Sequence, residues 1–289
     1  MLMRISRDFI HETVMSYHNS FMTDANWCKI ATLAPVNDSY LIRKYQKLYA
    51  LRFVPAYYFE YCVLASELRL RLKTLNIDSV NIASFGCGLS PDYYALEENL
   101  YDISFEYVGF DQAQWSTQDL MPARGGNYRF EHEYANGLED EALEEFDVFV
   151  FPKSIKDIVD SGKDSLSDLA NLIAASPKKR IFFMNSFVCT KGQRSLDAEY
   201  FDVIHDQLVN AGYVCKDDNT TTCYRKHPYT GEKFAWLISI NGDFRYPDEG
   251  RILCPDKGSN SDCNVCNVIK SPILSNEFMD YQFLEYEKV

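Results

Sequence analysis

The chain has 289 residues, a formal net charge of −13 from 29 Lys and Arg against 42 Asp and Glu, and a composition that is 46% hydrophobic and 15% aromatic. Such a chain is too apolar for general disorder and long enough for one large α/β domain with additions around a sizeable core. Its acidity argues against a broad nonspecific nucleic-acid surface, which needs clustered Lys and Arg, and Arg69, Arg71 and Lys73 read instead as a solvated helix face. No apolar run approaches a membrane span, and the first residues, Met1 to Asp8, lack the apolar core of a signal peptide. Nine cysteines, an odd number with most scattered singly (Cys62, Cys87 and Cys189 among them), fit reduced thiols. The expectation is a soluble, cytoplasmic protein.

From about Ile5 to Leu75 the pattern is helical, with breaks near Asp24-Ala25-Asn26 and from Ala34 to Ser39. Asp38 or Ser39 is placed to cap a helix beginning at Tyr40. Tyr49, Phe53, Tyr57 and Tyr61 recur at a spacing of four, which puts their rings on one helical stripe, and Pro55 is expected to bend or restart that helix. The stripe reads either as a seam packed on a sheet or as a lid over a substrate pocket. In the second case Arg52 and Glu60 supply polar contacts.

A strand from Ser79 to Phe85 then runs into Gly86-Cys87-Gly88, with a helix from Tyr93 to Leu100 behind the turn. Such a junction offers bare backbone N–H groups and the positive end of a helix to a ligand, and the glycines let the backbone come close. A second strand, Glu106 to Phe110, ends in Asp111, where doubly wound folds place a carboxylate against ribose hydroxyls. Tyr128 to His132, the apolar run Phe146 to Phe151, and Arg180 to Asn185 follow as strands three, four and five. A helix from about Asp197 stops at Gly212, and Val214 to Tyr224 and Phe234 to Ile240 read as an antiparallel pair around the turn Pro228 to Gly231. The fold class expected is α/β: a doubly wound, mostly parallel seven-stranded sheet with an N-terminal helical cap (1–75), a core (76–245) and a Cys-containing C-terminal extension (246–289).

A dinucleotide fingerprint wants a third glycine beside the pyrophosphate, but the turn continues Leu89-Ser90-Pro91-Asp92. An acidic residue at the helix entrance repels a pyrophosphate and suits an ammonium group. Gly-Cys-Gly followed by Asp92 resembles motif I of class I S-adenosylmethionine-dependent methyltransferases, and Phe110-Asp111 resembles their motif II. The resemblance covers about Ser79 to Ile240. It implies S-adenosylmethionine as cofactor, bound across Ser84, Gly86, Cys87, Gly88, Asp92, Asp111, Gln112 and Asn136. Many members carry an acidic residue where Ser84 stands, and Asp92 is the candidate substitute for its contact to the methionine amino group. Asn136 takes the place of a side chain that bonds the adenine amino group, and Trp115 is placed either to stack on adenine or to pack in the core.

Methyl transfer from a sulfonium is an in-line displacement that chiefly requires alignment and exclusion of water. Lys153 and Ser154, in the loop after strand four, and Tyr57 are the acceptor-side candidates, with a helix cap as the other reading of Ser154. His132 and His205 are weaker candidates for a base. The motifs that resemblance demands for methylating exocyclic amino groups or C5 of bases are absent, so the acceptor expected is a small molecule or a peptide or protein, with an O or N nucleophile. A noncatalytic methyltransferase-like binding module and a nucleotide-dependent oxidoreductase are the alternatives. In the tail, Cys254, Cys263 and Cys266 stand as C-x8-C-x2-C, a spacing that can hold zinc with Cys223 or His227 as a fourth ligand, or an iron–sulfur cluster, or else carries free thiols.

Overall fold

The computed structural model describes residues 3–21, 40–133, 137–139, 141–188, 196–217 and 280–289. Seven strands form one sheet: β1 (Ser79–Phe85), β2 (Ser104–Asp111), β3 (Tyr128–His132), β4 (Val148–Pro152), β5 (Arg180–Phe187), β6 (Tyr213–Cys215) and β7 (Asp280–Lys288), in the order β3-β2-β1-β4-β5-β7-β6. The pairs from β3 to β5 are parallel, and β7 is antiparallel to both of its neighbours. Strand order reverses beside β1, where β2 and β4 flank it, and this is the switch point at which open α/β sheets bind ligands.

Side chains alternate across the sheet, and each face is covered. Val80 and Ile82 of β1, Phe105 and Tyr107 of β2, and Val148 and Val150 of β4 face one core together with α1 (Arg7–Phe21), α2 (Arg43–Thr74) and α3 (Pro91–Asn99). Ala83 and Phe85, Val108 and Phe110, and Phe149 and Phe151 face the other, with α4 (Ile155–Ser161), α5 (Ser165–Ala174) and α6 (Phe201–Asn210).

Three features differ from the sequence expectations. The second helix starts at Arg43 with Ile42 at its N-cap, while Asp38 and Ser39 lie outside the described residues. That helix continues for 32 residues through Pro55 without restarting, because Val54, Ala56, Tyr58 and Phe59 around the proline are all buried against the first core and hold the segment helical. The antiparallel partner of β6 is Asp280–Lys288, which the sequence reading assigned to the C-terminal extension. Phe234 to Ile240, read as that partner, lies outside the described residues. Charged and amide groups obscure β7 in the sequence, yet Asp280, Gln282 and Glu285 are buried in the sheet. Glu285 ion-pairs with Arg71 and with Arg180 (3.1 Å), which compensates its burial.

Candidate active site

Gly86 and Gly88 both have positive φ (68° and 57°), the left-handed region that glycine enters at little cost. At Gly86 a side chain is also excluded by space, since a Cβ there would stand 2.5 Å from Ser154 Cβ. The turn is stitched to the end of β2. Gly86 N–H donates to the Phe110 carbonyl (2.7 Å), and Gly88 N–H donates to Asp111 Oδ2 (2.7 Å). The other oxygen of Asp111 accepts from Ala113 N–H (2.7 Å). Burial raises the Asp111 carboxyl above its ordinary value, and these two backbone bonds pull it partly back. Each carboxylate oxygen retains a lone pair for a further donor.

A cleft of about 430 Å³ opens at this switch point, lined by Gly86, Gly88, Asp111, Gln112, Trp115, the loop Pro152-Lys153-Ser154 and, from the N-terminal segment, Tyr40, Tyr49 and Tyr57. Buried Gln46 of α2 fixes that segment to the loop after β2: its amide donates to the carbonyls of Tyr40 (2.6 Å) and Gln114 (3.0 Å), and Ser116 Oγ donates back to it (2.8 Å). The rings of Tyr40, Tyr49 and Trp115 therefore meet, with centroids 5.2 to 5.6 Å apart, and Tyr57 continues the wall 6.0 Å from Tyr49. Burial pushes the Tyr49 and Tyr57 phenols upward, so both stay neutral. Trp115 packs over Gly88, and its Nε1–H lies near Asp111 without the geometry of a formed hydrogen bond.

On the β4 side, Lys153 adopts positive φ (56°), a conformation that costs a non-glycine residue about 1–2 kcal/mol. Its backbone N–H donates to Ser186 O (2.9 Å), and its ammonium lies 2.6 Å from Glu60 Oε2, donates to Phe187 O (2.8 Å) and sits 5.0 Å from the Tyr57 ring centre. Glu60 is wholly buried. A buried ion pair of this kind is weak evidence for stability, because desolvation opposes the Coulombic gain. Ser154 stands at the N-cap position of α4, where its carbonyl accepts from Ile158 N–H (3.0 Å), but its hydroxyl donates to the Phe85 carbonyl and makes no side-chain cap.

The cleft thus gathers Tyr57, Gly86, Gly88, Asp111, Gln112, Lys153 and Ser154 of the candidates named from sequence. Ser84, Cys87 and Asp92 do not line it. Asp92 is enclosed behind the turn, where Tyr107 donates to Oδ2 (2.8 Å) and the Ser84 hydroxyl adjoins it without a well-formed bond; burial raises its carboxyl to about 6. The substitute contact foreseen for Asp92 is therefore not made in this arrangement, because the side chain turns inward to Tyr107. Cys87 is buried with Sγ against Gly109, and burial pushes its thiol well up. Tyr61, at the end of the stripe, is buried with its hydroxyl 2.9 Å from Ser186 Oγ. His132 meets the Gln112 carbonyl (2.9 Å) and His205 meets Tyr286 (2.8 Å), both away from the cleft lining. Asn136, Cys223, His227, Cys254, Cys263 and Cys266 lie outside the described residues. Among the described residues no group of three or more His, Cys, Asp or Glu is arranged to hold a metal, and no helix is long and apolar enough to cross a membrane.

Sequence reasoning missed Tyr40, Asp157 and Asp197 as cleft residues. Asp157 is open to the cleft on α4, and Asp197 belongs to a short 3-10 turn before α6. Desolvation raises both carboxyls, with Asp160 adding to the effect.

No protein-family model and no curated protein matches the chain. Solved structures are similar at low identity. The plantazolicin methyltransferase BpumL, in complex with SAH, is 11% identical over 96% of each chain with a TM-score of 0.42. The Burkholderia thailandensis 1,6-didemethyltoxoflavin-N1-methyltransferase is 12% identical over 100% of this chain and 93% of its own, with a TM-score of 0.43. The sugar N-methyltransferase KedS8 from Streptoalloteichus is 12% identical over 46% of this chain and 51% of its own, with a TM-score of 0.33. Likeness of this degree says nothing of substrate. The sheet itself, with six strands running one way and β7 reversed between β5 and β6, is the seven-stranded, mostly parallel α/β sheet that the sequence led us to expect.

Proposed function

We propose that this protein is an S-adenosylmethionine-dependent methyltransferase acting on an oxygen or nitrogen nucleophile of a small-molecule or peptide or protein acceptor. The observation that carries this reading is the convergence of the glycine turn, Asp111 and the Lys153-Ser154 loop on one cleft at the switch point of the sheet.

The donor set fits the cofactor. Asp111 keeps acceptor capacity for ribose hydroxyls, and Trp115 beside Gly88 offers a ring face to a base. Asp111, Glu133, Asp157 and Asp197 line the cleft, a field that disfavours a pyrophosphate and favours a phosphate-free nucleoside with a positive sulfur. When bound, S-adenosylmethionine supplies an electrophilic methyl group. The chain's own residues then have to orient the acceptor and exclude water. Tyr57, Lys153 and Ser154 are held for that task by the Glu60 ion pair, the Phe187 and Phe85 carbonyls and the close approach to Gly86.

Calorimetry with S-adenosylmethionine, S-adenosylhomocysteine and NAD tests the reading. Adenosyl ligands are expected to bind, and Asp111→Ala to weaken them by about 1.5 to 3 kcal/mol, roughly ten- to a hundredfold, the range for bonds to a charged group. Binding of NAD with no binding of S-adenosylmethionine would favour an oxidoreductase. Cofactor binding with no labelled-methyl incorporation across a metabolite and peptide extract would favour a noncatalytic module.

A further inference from the structure

The charges and rings of the cleft also bear on what the acceptor must look like. Its two lysines are both neutralised from within the protein, Lys153 by Glu60 (2.6 Å) and Lys156 by Asp160 one helical turn away. On α4, Asp157 opens into the same cleft and has no hydrogen-bond or ion-pair partner among the described residues. Tyr40, Tyr49, Tyr57 and Trp115 form a continuous wall of ring faces and edges.

An anionic acceptor meets an unfavourable field in such a cleft, and a neutral one gains only contact area. A cation gains from both wall and carboxylate, because the ring quadrupoles of Trp and Tyr attract a positive group within about 6 Å and a nearby carboxylate adds to that attraction. Resting on the methyltransferase reading, we propose that the acceptor carries a protonated or quaternary ammonium group and that this group is received between the Tyr40-Tyr49-Tyr57 part of the wall and Asp157. The Asp157 carboxyl is raised, and an opposite charge placed beside it would act in the other direction, favouring its ionised form.

A matched pair of probes tests this: choline and its neutral isostere 3,3-dimethylbutan-1-ol, titrated into the protein saturated with S-adenosylhomocysteine, whose sulfur is uncharged. The expected result is a preference for choline of about tenfold, diminished several-fold in Asp157→Asn, with both proteins held at saturating S-adenosylhomocysteine throughout. Equal binding of the two probes overturns the inference. So does a preference seen only without S-adenosylhomocysteine, which would mean that the wall serves the cofactor's sulfonium, and so does an unaltered preference in Asp157→Asn. Failure of S-adenosylhomocysteine to bind at all is a separate result and overturns the methyltransferase reading.

Discussion

The two faces of the sheet are built from different aromatic residues. On the face covered by α1, α2 and α3 the largest buried side chains are tyrosines, and their hydroxyls are engaged: Tyr17 with Thr117 O (2.7 Å), Tyr58 with Ser6 N (2.8 Å), Tyr61 with Ser186 (2.9 Å), Tyr94 with Pro122 O (2.6 Å) and Tyr107 with Asp92 (2.8 Å). On the face covered by α4, α5 and α6 phenylalanines dominate, with Phe85, Phe110, Phe149 and Phe151 stacked at centroid distances of 5.3 to 6.5 Å. The phenylalanine face is held mainly by area and shape, with hydroxyl anchors at Tyr213 and Tyr286. The tyrosine face ties these five rings at both ends, so the placement of α2 and of the segment after β2 is specified by direction as well as by burial.

If that contrast is right, the largest loss comes from removing volume on the phenylalanine side. Phe149, fully buried between Phe85 and Phe183, should cost about 3 to 5 kcal/mol of unfolding free energy as Phe149→Ala, measured by urea denaturation. A loss below about 1 kcal/mol would mean that this face repacks and is not a close-fitted core.

An effect nearly as large belongs to the tyrosine side and depends on pH. The Asp92 carboxyl rises from 3.8 in the unfolded chain to about 6 in the fold. Between about pH 4 and pH 6 the folded state therefore binds the extra proton, and stability from this group falls as pH rises through that window, by about 3 kcal/mol in all. Asp92→Asn keeps an acceptor for Tyr107 and removes the titration. The variant should gain stability relative to the native chain on going from pH 4.5 to pH 7, as read by thermal unfolding, and parallel curves would show that the fold does not raise the Asp92 carboxyl.

The smallest expected change isolates a single hydroxyl. Tyr61→Phe retains the ring and leaves Ser186 Oγ without its partner, for a cost of about 1 kcal/mol. No change at all in Tm would indicate that the hydroxyls on this face do not specify its packing, and the contrast between the two faces would lose its basis.

Legibility in the sequence follows the same division. β1, β3, β4 and β5 were readable because β-branched and aromatic runs bounded by turn residues have few other solutions, and the glycine turn followed by Asp111 marked the switch point. What stayed hidden depends on pairing at a distance. Asp157, Asp197 and Tyr40 reach the cleft from three separate elements, and no local pattern joins them. Asp92 looked available to a ligand because it stands at a helix entrance, whereas Tyr107, fifteen residues on, draws it into the core. β7 was obscured by Asp280, Gln282 and Glu285, whose burial depends on partners such as Arg71, 214 residues away.

The position of β7 also orders assembly. β5 and β6 do not touch each other, and both pair with β7, whose contacts with β5 span 97 residues at Asn185-Gln282 and 107 at Arg180-Glu287. Loop closure over such a separation must precede any gain from the ladder, while the parallel pairs from β3 to β5 need only the chain between them. During synthesis the ligand-binding half of the sheet can assemble on its own strands. The far edge waits for residues 280–288, and until they arrive β6 and the outer edge of β5 lack the one strand that joins them among the described residues.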